Sequence, residues 1–202
     1  MTQEYTLVSE PNRLKAYNIF KNYFFPFVSI TCEIEITGLI SKVKQKNLKF
    51  SQAISYIILK ATNNVPEFRY RIINDQVVEY KSVGIGPIAL TDDNNLKFLY
   101  IPNLDWNEFA LKYEEQLKDN GEINFGELSV VYISCVPWFA QTGLVTPIRS
   151  KDTSIPAFTV GKYFTRDSGV FIPLTIQVHH GLMDGFHIHR FLEELALVQK
   201  EF

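Results

Sequence analysis

The chain has 202 residues, 46% of them hydrophobic, with 16 Phe and 10 Tyr; that size and composition suit an ordinary globular chain with a substantial core, and one domain spanning residues 1–202 is expected. A formal net charge of -2 offers no basic surface to a phosphate backbone, which argues against nucleic-acid partners. No run of about 18 apolar residues is available for a membrane span, and the two distant cysteines, Cys32 and Cys135, build neither a metal knuckle nor a disulfide framework.

The first fifteen residues hold no apolar stretch of signal-peptide length, so a reduced, cytoplasmic setting is expected. Residues 12–23 read as a helix with Leu14, Tyr17, Ile19 and Phe20 toward the core. Residues 27–37, FVSITCEIEIT, alternate at period two and read as a strand. Thr37 can cap a short helix, and residues 49–65 form a strongly apolar helix with Ser51 at its N-cap. RYRII and VVEYKSV flank the turn-forming pair Asn74-Asp75 and predict a hairpin. Strands follow at 84–91 and 96–102, joined through TDDNN. A helix from Asp105 is capped by Asp105 or Asn107 and closed by Gly121. The strand at 128–138 stops at Pro137. A loop of about twenty residues comes next, long enough to suggest a functional role. PAFTVGKYF (156–164) predicts one strand. GVFIPLTIQVHH (169–180) predicts another, interrupted by Pro173. The final helix begins at Asp184, with Phe186, Ile188, Phe191, Leu192 and Leu195 as its apolar positions. Several strands succeed one another without helices between them. The expected fold is therefore mixed α/β (α+β): a large mixed β-sheet covered mainly on one side by helices.

All four histidines fall within IQVHHGLMDGFHIHRFLEEL, residues 176–195. In strand geometry His179 and His180 point to opposite faces, one to the interior and one to a cleft. Three readings compete. The first is a structural turn with Asp184 as N-cap and incidental histidines. The second is a metal site, which the two-residue spacing of His187 and His189 disfavours because it splays their side chains around a helix. The third is acid–base catalysis by a cleft-facing histidine, the side chain best matched to proton transfer near neutral pH. Gly84-Ile85-Gly86 lacks the third glycine and the helix of a dinucleotide loop, and that reading is discarded.

The string VHHGLMDGFH resembles the H-H-x-x-x-D-G signature of the CoA-dependent acyltransferases, and of the chloramphenicol acetyltransferase family within them. YISCVPW (132–138) is similar to that family's strand with a serine three residues before Pro-Trp. FTVGKYF (158–164) is similar to its strand with Lys-Tyr, and ITCEIEIT fits near the N-terminus. The resemblance runs from about residue 11 to the end.

It implies a chloramphenicol acetyltransferase-like fold and an acetyl-CoA-dependent O-acetyltransferase without an acyl-enzyme, with no bound cofactor or metal and with acetyl-CoA as co-substrate. The acceptor would be chloramphenicol or another small hydroxyl compound. It implies His180 as general base, with His179 structural. Asp184 would pair with Arg13, Ser134 would donate to the oxyanion, and Thr159 would hold a water on the intermediate. Lys162 and Tyr163 would contact CoA. It also implies a homotrimer with active sites between subunits. Two segments depart from the family. FFPFVSI stands where a Pro-Cys-x-Phe segment is expected, and FAQTGLVTPIRSKDTSIPAF replaces a Phe-rich run ending in Asn-Leu-Asn. Both are acceptor-pocket regions in the family, so the catalytic centre is kept while the pocket is rewritten. A dihydrolipoamide acyltransferase typically has arginine directly after the base, where this chain has Gly181.

Overall fold

A computed structural model of the chain describes residues 5–90, 93, 95–119 and 129–202. In chain order the elements are β1 (Tyr5–Leu7), α1 (Pro11–Phe20), β2 (Phe27–Glu35), α2 (Thr37–Gln45), α3 (Phe50–Asn64), a short 3-10 turn (Pro66–Arg69), β3 (Tyr70–Ile73), β4 (Gln76–Tyr80), β5 (Gly84–Leu90), β6 (Leu96–Phe98), α4 (Trp106–Lys118), β7 (Val130–Cys135), β8 (Ala157–Val160), β9 (Phe164–Arg166), β10 (Gly169–His179) and α5 (Gly185–Glu201).

The large sheet is mixed, in the order β2-β10-β8-β7-β5-β6, with β9 also on β10; a smaller sheet, β1-β4-β3, stands apart. The pairs β5/β7 and β7/β8 are parallel and the others antiparallel. Residues in register share a face, because side chains alternate along each strand. Ile172, Leu174, Ile176 and Val178 of β10 join Val131 and Ile133 of β7, and Phe158 and Val160 of β8, in the buried core. Helices α3 and α5 close that face. The Phe68 and Phe191 rings stack 4.9 Å apart, and Phe158 lies 5.1 Å from Phe191. On α5 the buried positions Ile188, Phe191, Leu195 and Val198 recur at helical spacing, and each large side chain is worth about 1.5–3 kcal/mol of burial.

The opposite face is polar. Thr31 pairs with Thr175, Thr175 with Thr159, and Thr159 with Ser134. One rung therefore carries four hydroxyl side chains across four strands. The Thr31 and Thr175 hydroxyls bond to each other at 2.8 Å. The loop between β7 and β8 lies against this face: Gln177 bonds the Thr146 backbone N–H at 2.9 Å and Ser29 donates to the Leu144 carbonyl at 2.6 Å.

Several local expectations need correction. Thr37 does not cap α2; its hydroxyl accepts the Val170 N–H at 2.9 Å and so ties the helix to β10. Ser51 lies inside α3, whose N-cap is Lys49. PAFTVGKYF is two strands, β8 and β9, with a break at 161–163. Conversely, β10 runs unbroken through Pro173. The Pro173 carbonyl accepts the Gly161 N–H at 2.9 Å, so its missing N–H falls opposite that break and removes no bond to β2. Phe186 is exposed rather than apolar-facing. β1, the third strand of the small sheet, was not anticipated. The Asn74-Asp75 hairpin forms as expected, with φ of 50° and 59° at the two turn residues, values that suit Asn and Asp. Asp105 caps α4 through the Glu108 N–H at 3.1 Å. The proposed closing residue Gly121, Leu128 at the start of one expected strand and most of TDDNN lie outside the described residues.

Candidate active site

β10 ends at His179, and the chain turns at once. The His180 N–H donates to the Pro26 carbonyl at 2.7 Å, and the Leu182 and Met183 N–H groups both reach the His179 carbonyl. The turn is packed tightly: a Cβ on Gly181 would lie 2.9 Å from the His179 ring and 3.1 Å from the Tyr17 backbone. Position 181 has no room for a side chain here.

His179 is 2% exposed, with the Phe27 ring set edge-on at 5.4 Å. Its Nδ1 accepts the Gly181 N–H at 3.1 Å, which puts the proton on Nε2. Burial disfavours the imidazolium and lowers the pKa to about 4. Burial thus holds this ring in its neutral form.

His180 is the partly exposed member of the pair. Its ring packs 4.3 Å from Phe20. Its Nδ1 lies 3.1 Å from the Met183 carbonyl. A carbonyl can only accept, so Nδ1 carries the proton and the lone pair of the neutral ring is on Nε2. A histidine in this state can take a proton at Nε2 while its other nitrogen keeps the ring oriented.

Asp184 caps α5, accepting the Phe186 N–H at 3.0 Å. Its other oxygen lies 3.2 Å from Arg13 Nη2 on α1, joining two chain segments 171 residues apart. Burial pushes this carboxyl up, but Arg13 and His187 outweigh it and hold the pKa below the usual range. Lys21 and Tyr17 anchor the other side of α1 on Asp75 of the hairpin turn, at 2.9 and 2.8 Å. The sequence left His187 and His189 without roles. The structure separates them: His187 is buried, with Nδ1 2.8 Å from Asp184 Oδ1, while His189 is exposed near Glu193. Aspartate with histidine three residues on acts as a capping box. The usual sequence signature has Glu or Gln in the second position, which is why it went unseen.

Ser134 and Thr159 sit together on the polar rung, paired across β7 and β8. The Ser134 hydroxyl has no hydrogen-bond partner among the described residues. It lines a groove of about 410 Å³ with Ile88, Tyr113, Pro137 and Trp138. Next to it, burial lifts the Cys135 thiol to about 11 and raises that of Cys32 as well. Beyond Trp138, the Phe139 carbonyl accepts the Lys162 N–H at 2.8 Å, which ties the segment before β9, with the exposed Tyr163, to the chain following the groove.

The predicted residues therefore form two groups. Arg13, His180 and Asp184 gather at the start of α5. Ser134, Thr159, Lys162 and Tyr163 gather at the far side of the sheet. Thr175 lies four residues before the end of β10 at His179, about 13 Å along the strand at about 3.3 Å per residue. Among the described residues no hydrogen bond or ion pair joins the two groups. Among the described residues no cluster of His, Cys, Asp and Glu could hold a metal ion.

This architecture is shared with solved acyltransferases. A chloramphenicol acetyltransferase structure superposes with a TM-score of 0.87 at 22% identity, covering 96% of this chain and 99% of that one. The family model for chloramphenicol acetyltransferase matches residues 3–196. The chain is 32% identical over 197 residues to a chloramphenicol acetyltransferase of Clostridium perfringens, covering 93% of this chain and 90% of that protein. It is 33% identical over 177 residues to one from Clostridium butyricum, covering 83% and 81%. The protein is an acyltransferase. It belongs to the chloramphenicol acetyltransferase family.

Proposed function

We propose that this protein is a cytoplasmic enzyme that transfers acetyl from acetyl-CoA to a hydroxyl of chloramphenicol or a similar small acceptor. His180 Nε2 removes the hydroxyl proton as the acceptor oxygen attacks the thioester carbonyl. The tetrahedral intermediate collapses with cleavage of the C–S bond, and the CoA sulfur takes the proton back from His180. No acyl-enzyme forms, and much of the rate comes from holding two substrates in line. The observation that carries the reading is the His180 ring, with Nδ1 committed to the Met183 carbonyl and Nε2 left to act as base.

Ser134 is assigned the oxyanion, its hydroxyl being unengaged beside the groove, and Thr159 the water on the intermediate. The groove and its aromatic end suit the pantetheine arm of CoA, with Lys162 toward a phosphate and Tyr163 toward adenine. The Arg13–Asp184 pair positions the catalytic turn. The separation of His180 from Ser134 supports a site completed by a neighbouring copy, in keeping with the homotrimer the resemblance implies.

A different acceptor is favoured by one observation. Segment 23–27 carries an exposed Tyr23, a fully exposed Phe24 and an exposed Phe25 directly beside Pro26, which bonds His180. This is not the family's pocket sequence, and hydrogen-bonding acceptors are discriminated strongly by such changes. The deciding measurement is thiol release from acetyl-CoA with chloramphenicol, comparing wild type with His180→Ala. Release that vanishes in the variant supports both acceptor and base. Release that persists removes His180 from the role of base. No release from wild type removes chloramphenicol, and an acceptor screen follows.

A further inference from the structure

The His180 tautomer depends on a single peptide group, and that group is held at both ends. Its carbonyl, from Met183, faces His180 Nδ1 at 3.1 Å. Its N–H, from Asp184, faces His187 Nδ1 at 3.2 Å. The peptide is planar, so turning one end turns the other. We infer that His187 is a positioning residue for the acetyl-transfer reaction: it holds the Met183–Asp184 peptide plane and thereby keeps the proton of His180 on Nδ1. The inference rests on the role proposed above for His180.

The two neutral states of His187 bear on Asp184 differently: only a bare Nδ1 takes the peptide N–H itself, while an Nδ1–H reaches Asp184 through its side chain, donating to Oδ1 at 2.8 Å. Both bonds end on Asp184. The ring itself cannot drift, because it is 8% exposed and wedged between charges from three segments. Arg13 Nη2 of α1 lies 3.1 Å from Nε2. Glu67 of the 3-10 turn lies 3.5 Å from the same nitrogen, and Arg190 of α5 reaches Glu67 at 3.4 Å. Arg13 thus touches both the aspartate and the histidine, so α1 and the turn before β3 bear on the peptide that orients the base.

The test reads His180 itself rather than activity alone. The full chain is labelled with [15N]histidine, and the tautomers are read from long-range 1H–15N correlations; the signals of His180 and His187 are identified by their loss in His180→Gln and His187→Phe. In wild type His180 is the Nδ1–H tautomer. His187→Phe keeps the ring volume and loses every polar contact, and His180 then shifts toward the Nε2–H form preferred in water. His187→Asn keeps a contact to Asp184 and restores the wild-type pattern. If His187→Phe does not fold, His187→Ala supplies the same reading. A folded Phe or Ala variant with unchanged His180 tautomer overturns the inference, as does an Asn variant that loses the tautomer completely. With acetyl-CoA and chloramphenicol as probes, kcat in His187→Phe falls about 10-fold or more while KM for both is unchanged, since a histidine base in the wrong tautomer costs up to about 10⁴. Lost tautomer control together with full turnover by His180→Ala breaks the base assignment and leaves standing only the hold of His187 on the His180 ring.

Discussion

The two ends of the candidate site are built differently. At the α5 end, His180, Asp184, His187 and Arg13 are fixed by hydrogen bonds, ring packing and a helix cap. At the groove end, Ser134 has no partner among the described residues, and Trp138, Phe139 and Tyr163 are exposed. Under the proposed mechanism the first end holds a proton on a chosen nitrogen before substrate arrives, which suits an order completed within the chain. In the same proposal the second end binds what arrives, which suits contacts left open for a ligand or for another subunit. Preorganisation belongs where charge is moved, and open contacts belong where surface is buried on binding.

The largest expected effect tests the ordered end. His180→Ala lowers turnover by about 10²–10⁴, with circular dichroism and assembly unchanged. Ser134→Ala tests the open end and lowers kcat by about 10²–10³, with smaller change in KM for acetyl-CoA. Mixing these two inactive proteins sharpens the comparison. If the ends meet across subunits, co-refolded mixtures regain activity, in about a quarter of sites for random assembly. No recovery in assemblies shown to be mixed would place both residues in one copy's site.

Stability effects come next. His179 has a folded pKa of about 4 against 6.5 for the model group. The unfolded chain binds the extra proton between those values, so stability is full above about 6.5 and falls as pH drops toward about 4, by on the order of 3 kcal/mol. Denaturation midpoints across that range in wild type and His179→Gln check it, because the variant lacks this share of the pH dependence. The smallest effect is that of Asp184→Asn, which keeps the cap but weakens the pair with Arg13. About 1–2 kcal/mol is expected from a half-exposed pair near a helix start, measured by urea unfolding.

Much of this was legible in the residue pattern. β2 was announced by strict alternation, the hairpin by Asn74-Asp75, and α5 by Asp184 ahead of an apolar stripe. Where the reading slipped, tertiary context had outweighed local preference. Thr37 looked like a cap, yet its hydroxyl was claimed by Val170. Pro173 looked like a break, yet the missing donor faced a gap that the sequence does not display. At the site, His180, Asp184 and Ser134 were legible as a motif, while the Arg13 contact spans 171 residues and came only from resemblance. The contact of His187 with the Asp184 N–H was illegible because it depends on which way one peptide plane faces.

The raised thiol pKa values of Cys135 and Cys32 carry a practical consequence for kinetics. Thiol reagents react with the thiolate, and burial keeps both side chains protonated near neutral pH. In a colorimetric assay the protein contributes a low, slow background. The rapid signal is then the sulfur of CoA leaving its acetyl group, so weak turnover on a poor acceptor is still countable.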